Sequence, residues 1–206
     1  MSNTWENFLV ENRVTVNTAA CQDTSSSSEL DEFELTTGIT LPQDYRDFRR
    51  FLGTGEFMEK PCEEGDFGHC NLRIEKPNKV YSDQIILILS QDLDYQIEIG
   101  EFRDHPEESF VVSLLKSSFL LAGNSKGHFF VWHLNSWTEA DESYDIYLIP
   151  PNDSPLNCYL VGRSFSEFIK DFGIGKKRYS KLPKRLKLRT YKSPVFFTYL
   201  PISASE

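Results

Sequence analysis

The sequence predicts an α+β domain in which helices pack on one face of an antiparallel sheet. Three observations carry that prediction. Two helical segments with aromatic stripes flank Gly38, several short apolar segments separated by turn signals lie between about Gln84 and Val161, and a further striped helix spans residues 164–173. Helices grouped before and after a block of strands, rather than alternating with them, are the order of an α+β fold. The 206 residues, 39% of them hydrophobic, suffice to bury the core of one full-sized domain with extensions.

Taken in order, "WENFLVEN" (5–12) places Trp5, Phe8 and Leu9 at i, i+3, i+4, the spacing of one helix face. Residues 15–28 end in "TSSSS" and read as a polar linker, with Ser28 placed to cap the next helix. From Glu29, "ELDEFELTTG" sets Leu30, Phe33 and Thr37 on one stripe. Asp31 and Glu32 suit the positive end of that helix, and Gly38 stops it. In "LPQDYRDFRRFLGTGEF" (41–57), Pro42 sits at the first helical position, where its missing N–H costs nothing. Tyr45, Phe48, Phe51 and Leu52 form the stripe, and Gly53 and Gly55 end the helix.

Residues 57–83 read as irregular, with Pro61, Gly65, Gly68 and Pro77. "QIILILSQD" is nearly continuous in apolar residues and predicts a central strand. "YQIEIGEF" alternates, and "ESFVVSLLKSSFLLAG" holds one or two more strands. "GNSKG" (123–127) is a turn answered by the strand "HFFVWHL", and "YDIYLIP" and "CYLVG" complete the set. In "SFSEFIKDFG", Ser164 and Glu167 make a capping box, and Phe165, Phe168, Ile169 and Phe172 fall on one face. Near the end, "PVFFTYLP" is too apolar for a free tail and should bury Phe196 and Phe197. Three segments result: an N-terminal helix and linker (1–28), the α+β domain (29–175) and a basic C-terminal extension (176–206).

Charge is divided along the chain. Residues 1–175 carry 13 Lys/Arg against 30 Asp/Glu, a formal charge near −17, while 176–206 carry nine Lys/Arg and one acid, near +8. An acidic body repels nucleic acid and attracts basic proteins. The tail "KKRYSKLPKRLKLRTYKS" has three readings: it docks on the acidic body, it contacts nucleic acid through residues 176–192, or it is a localisation signal. The first residues, "MSNTWENFLVENR", show no signal-peptide pattern, and the longest apolar runs are strand-sized, so a soluble cytoplasmic protein is expected, with no membrane contact. Cys21, Cys62, Cys70 and Cys158 lack regular spacing and read as free thiols.

The search for chemistry ends without a catalytic, metal or cofactor site. "GNSKG" matches G-x-S-x-G, but a nucleophile elbow needs a helix after the turn, and a strand follows Ser125 here. His128 and His133, five apart in a strand, face opposite ways. "CEEGDFGHC" has no second Cys/His pair at zinc spacing. Phosphate-binding glycine motifs are absent. Asp92 and Asp94, like Asp141 and Glu142, read as solvated acids rather than a glycosidase pair. Trp132 belongs to the core. Trp137, in a polar loop with Thr138, Glu139, Asp141 and Glu142, has the setting of an aromatic contact anchor.

"ELDEFELTTGITLPQDYRDFRRFLGTGEF" resembles the N-terminal signature of the SUKH superfamily of Smi- and Knr-like proteins, with Leu41, Pro42, Tyr45 and Phe48 carrying the match. "FLLAGNSKGHFFVWHL" is similar to the family's strand–turn–strand, and Phe165, Phe168 and Ile169 match its closing helix. The resemblance covers about Glu29 to Gly175. It implies a protein-binding module without catalytic residues: an immunity protein that neutralises a toxin, often a nuclease, or alternatively a regulatory scaffold of the Smi/Knr type. Asp92, Asp94, Trp137, Asp141 and Glu142 are the residues expected to meet a basic protein partner.

Overall fold

The computed structural model describes residues 4–17, 22–58, 70–100, 108–124, 127–150, 157–175, 182–183 and 195–199. Six α-helices accompany one eight-stranded sheet among these residues. The helices are α1 (Thr4–Glu11), α2 (Ser27–Thr37), α3 (Gln43–Phe51), α4 (Lys79–Glu98), α5 (Glu108–Lys116) and α6 (Phe165–Phe168), the last continuing as a wider turn over Ile169–Gly173. The strands are β1 (Val14–Asn17), β2 (Gly55–Met58), β3 (Cys70–Ile74), β4 (Ser118–Gly123), β5 (Phe129–His133), β6 (Ile146–Ile149), β7 (Tyr159–Gly162) and β8 (Val195–Tyr199). They lie in the order β1-β8-β2-β3-β4-β5-β6-β7, antiparallel except for the parallel pair β1–β8.

The period-2 alternation of β5 builds two cores. Phe130 and Trp132 point to the larger one, shared with Trp5, Leu30, Tyr45 and Phe165, so α1, α2, α3 and α6 cover this face. Val131 points to the smaller one, with Leu89 and Leu93 of α4 and Val111 and Leu115 of α5. The helices foreseen around Gly38 and at 164–173 thus lie on one face, as expected. The opposite face is covered by α4 and α5, which the sequence reading had as strands.

The physical reason for that difference is the spacing of the buried residues. Ser82, Leu89 and Leu93 face inward with Ile85, Ile86 and Ile97 beside them, a helical and not an alternating pattern. Asn78 caps the helix by accepting the Tyr81 N–H at 3.0 Å. Twenty residues without Gly or Pro also exceed ordinary strand length. In α5, Val111, Leu114 and Leu115 are buried at i, i+3, i+4, and only the second half of "ESFVVSLLKSSFLLAG" becomes strand. The stretch read as irregular holds β3 and the end of β2, and the stretch read as linker holds most of β1. Phe48, Phe165 and Phe168 are buried as expected, but Phe51 is half-buried. Likewise Phe197 is buried and Phe196 half-buried, on alternate sides of β8. Among the described residues, no helix is long and apolar enough to cross a membrane.

Local chemistry places the caps. The α2 cap is Ser26, not Ser28: its Oγ accepts the Glu29 N–H at 3.2 Å, and the Glu29 carboxylate accepts the Ser26 N–H at 2.8 Å. Lys76 bonds the same carboxylate at 2.7 Å, and these partners, Lys76 first, hold its pKa at about 2 instead of the usual 4.5. A depressed carboxylate stabilises the fold above its unfolded pKa, so this contribution is complete above about 4.5 and fades as pH falls toward 2. Ser26→Ala is expected to cost about 1 kcal/mol in urea unfolding at neutral pH; a loss under a few tenths would mean that the box is not formed. Gly38 closes α2 in the left-handed conformation at φ 69°. Arg46 then ties α3 to Asp31 and, at 2.7 Å, to Glu34 of α2. Pro42 is the cap residue of α3 rather than its first helical position. Asp44, just inside, accepts the Ser166 N–H at 2.8 Å and so joins α3 to α6, while its carbonyl accepts the Trp5 indole N–H at 2.9 Å and brings in α1.

Candidate partner-binding surface

After β5 the chain makes a 3-10 turn at Leu134–Ser136, presents Trp137 and reverses over 138–143 before entering β6. Ser136 fixes this path: its Oγ donates to the His133 carbonyl at 2.6 Å and accepts the Asp145 N–H at 2.7 Å. The reversal is closed by a bridge between Thr138 and Ser143, and the Thr138 hydroxyl donates to Asp141 at 3.2 Å. Glu142 holds φ 45°, a left-handed conformation that a non-glycine residue adopts at a cost.

Trp137 is half-buried. Its indole packs on Tyr144 at a centroid distance of 4.8 Å, and Tyr144 in turn packs on the buried Trp132 at 5.8 Å. Burial pushes the Tyr144 phenol up, against the opposing hydrogen bond from Thr40. One side of Trp137 is therefore fixed to the larger core. Beside it opens a groove of about 450 Å³, lined by Thr40, Leu41, Gln43, Trp137, Glu139 and Glu142. An aromatic ring held by its own core and rimmed by carboxylates is suited to meeting an apolar side chain set among cations.

The five residues singled out in the sequence do not form one cluster. Trp137, Asp141 and Glu142 share the 137–143 loop. Asp92 and Asp94 are exposed on α4, which belongs to the layer on the other side of the sheet. That separation follows from α4 being a helix over the smaller core. The groove walls Thr40, Leu41 and Gln43 carried no functional signal of their own; they belong to the Leu-Pro entry of α3.

A second cleft, about 190 Å³, lies where β3 and β4 part, with Arg73, Lys76, Tyr81, Asn124 and His128 among its lining residues. Its cations are already paired, Arg73 with Glu75 at 2.8 Å and Lys76 with Glu29. Ser125 lies outside the described residues, as do His69, Cys62 and most of the basic tail. The described strands on either side of Ser125 are β4 and β5, so a strand stands where a nucleophile elbow needs a helix. His128 lies 3.2 Å from the Asn124 amide. His133 sits apart against Phe110 and Tyr147, where burial pushes its pKa down. Cys158 is half-buried and not part of a disulfide. Among the described residues, no group of three His, Cys, Asp or Glu side chains could hold a metal.

The sequence signature of the SMI1 / KNR4 family (SUKH-1) matches residues 24–171. No curated protein matches the chain.

Proposed function

Since the chain belongs to the SMI1 / KNR4 family (SUKH-1), we propose that it works as a non-catalytic binding module in the cytoplasm, neutralising a basic toxin domain by direct contact. The observation that carries this reading is the Trp137 groove, an aromatic anchor with Glu139 and Glu142 on its rim, in a body of formal charge near −17. Toxins that cut nucleic acid grip phosphate and are basic for that reason. An acidic inhibitor offers them the same charge and gains association rate by steering. Trp137, Asp141 and Glu142 form the contact, and Asp92 and Asp94 add to the field that draws the partner in.

The test takes candidate basic toxin domains, beginning with any whose gene adjoins this one, and measures binding kinetics at two salt concentrations. Trp137→Ala should weaken binding about 30-fold, roughly 2 kcal/mol, almost all of it in faster dissociation. Asp141→Asn with Glu142→Gln should instead slow association and flatten its salt dependence. Association indifferent to salt, together with parental affinity in Trp137→Ala, would overturn the proposal.

A further inference from the structure

The α4 helix exposes an apolar stripe on the side away from its core. Val80, Leu87, Ile88 and Tyr95 are 69%, 57%, 59% and 60% exposed, while Leu89 and Leu93 behind them are buried. The exposed four recur at i, i+7, i+8 and i+15, which places them within an arc of about 100° on the helix surface, with Gln84 and Gln91 between them. The stripe runs most of the length of a 20-residue helix, roughly 30 Å. At 100° per residue, Asp83 and Asp94 fall along one side of the stripe, Asp92 along the other, and Glu98 at its C-terminal end. Lys79 is the one basic residue of the helix, and its ammonium is paired with Asp83.

We infer that this face of α4 docks an amphipathic helix of a partner protein, with apolar residues on the stripe and Lys or Arg along its edges. This surface lies on the layer opposite the Trp137 groove and shares with the function proposed above only Asp92 and Asp94, which act there through the long-range field and not by contact. The charge pattern selects the occupant. A second copy of the chain would set Asp83, Asp92, Asp94 and Glu98 against their own kind, which destabilises a helix pair. An anionic lipid surface would be repelled by the same four carboxylates. A basic helix lays its side-chain stems on the stripe and brings its cations to the carboxylates, as flanking positions do in coiled coils. A stripe of about four turns also suits a helix laid in line with α4 at a shallow crossing angle.

The experiment uses the full chain and a synthetic helical peptide of about three heptads, Leu and Ile on one face with Lys and Arg beside them. A charge-reversed peptide, with Glu for each Lys and Arg, is the control. Fluorescence anisotropy should show the basic peptide binding at least about ten-fold more tightly than the reversed one. Ile88→Glu should weaken that binding at least about ten-fold, and Leu87→Ala by a smaller factor. Both positions are exposed, and an unchanged melting temperature shows that the variants fold. Trp137→Ala should bind the peptide like the parent, so failure here is distinct from failure at the groove. Equal binding of the two peptides, or parental affinity in Ile88→Glu, overturns the inference. Self-association, or binding to phosphatidylglycerol vesicles, that Ile88→Glu abolishes would also overturn it, giving the face to a second copy or to lipid.

Discussion

Phe48→Ala is expected to remove about 3–5 kcal/mol of folding stability, the range for deleting a fully buried aromatic ring. The Phe48 ring is 0% exposed and meets four others: Trp5 at 5.1 Å, Phe165 at 5.1 Å, Phe197 at 5.9 Å and Phe57 at 6.3 Å between centroids. Those partners come from α1, α6, β8 and β2, so one side chain joins four elements besides its own. None of them is free to move into the vacated space. Trp5 is fixed by its indole hydrogen bond to the Asp44 carbonyl, and Phe165 is wedged against Tyr45 at 5.0 Å. A cavity that cannot collapse is the costly kind. Against a total stability of about 5–15 kcal/mol, the variant should unfold far earlier in urea, or not fold at 37 °C. Phe51→Ala, at a half-buried site one turn along the same helix, should cost much less. Similar losses in the two variants would contradict the packing described.

Gly53→Ala is expected to cost about 3 kcal/mol or more, and Gly38→Ala only about 1 kcal/mol, although both glycines occupy the left-handed region. Their φ values, 79° and 69°, give similar intrinsic strain. The difference is space. A Cβ on Gly38 meets nothing within 4 Å, whereas one on Gly53 would lie 2.3 Å from the Asp23 carbonyl oxygen. Asp23 cannot yield cheaply. Its carbonyl accepts the Thr54 N–H at 3.1 Å, and its carboxylate accepts the Thr54 hydroxyl at 2.8 Å. Thr54 and Ser25 in turn accept from the two terminal nitrogens of the buried Arg49 guanidinium, at 3.0 and 3.1 Å, while its Nε has no partner among the described residues. Moving the backbone at 23 would leave a buried cation short of partners. Equal destabilisation of the two variants would show that this contact is not made.

The parts legible in the sequence were those with a local cause. Gly38, the Ser164 cap and the aromatic stripes of α3 and α6 are decided within a few residues, and the β4–β5 hairpin is announced by its glycine-bounded turn. What escaped had a distant cause. α4 buries one face and leaves Leu87, Ile88 and Tyr95 in solvent, so its apolar residues go round the helix and the contrast that marks an amphipathic helix disappears. β1 and β8 are four and five residues long, and nothing in either predicts the other; their pairing is a property of the finished sheet. At the candidate site, Trp137 stood out because an aromatic residue in an acidic loop is a local anomaly. The groove beside it depends on the loop lying against Thr40, Leu41 and Gln43, nearly a hundred residues earlier, and no spacing rule reaches that far.

The place of β8 in the sheet also sets a timetable for the chain's synthesis. β8 lies between β1 and β2, bonded to both, yet it is made after every other described strand. Until residues 195–199 leave the ribosome, β1 has no described neighbour and β2 offers a bare edge, with the inward face of Phe57 lacking the Phe197 ring that packs on it at 5.0 Å. Between the synthesis of residue 58 and that of residue 195 the growing chain therefore carries an unpaired β1 and a bare β2 edge beside an aromatic surface, the condition in which strands pair with the wrong neighbour. β8 acts as a closing wedge between β1 and β2, and a chain that has not yet placed it is the form most exposed to mispairing.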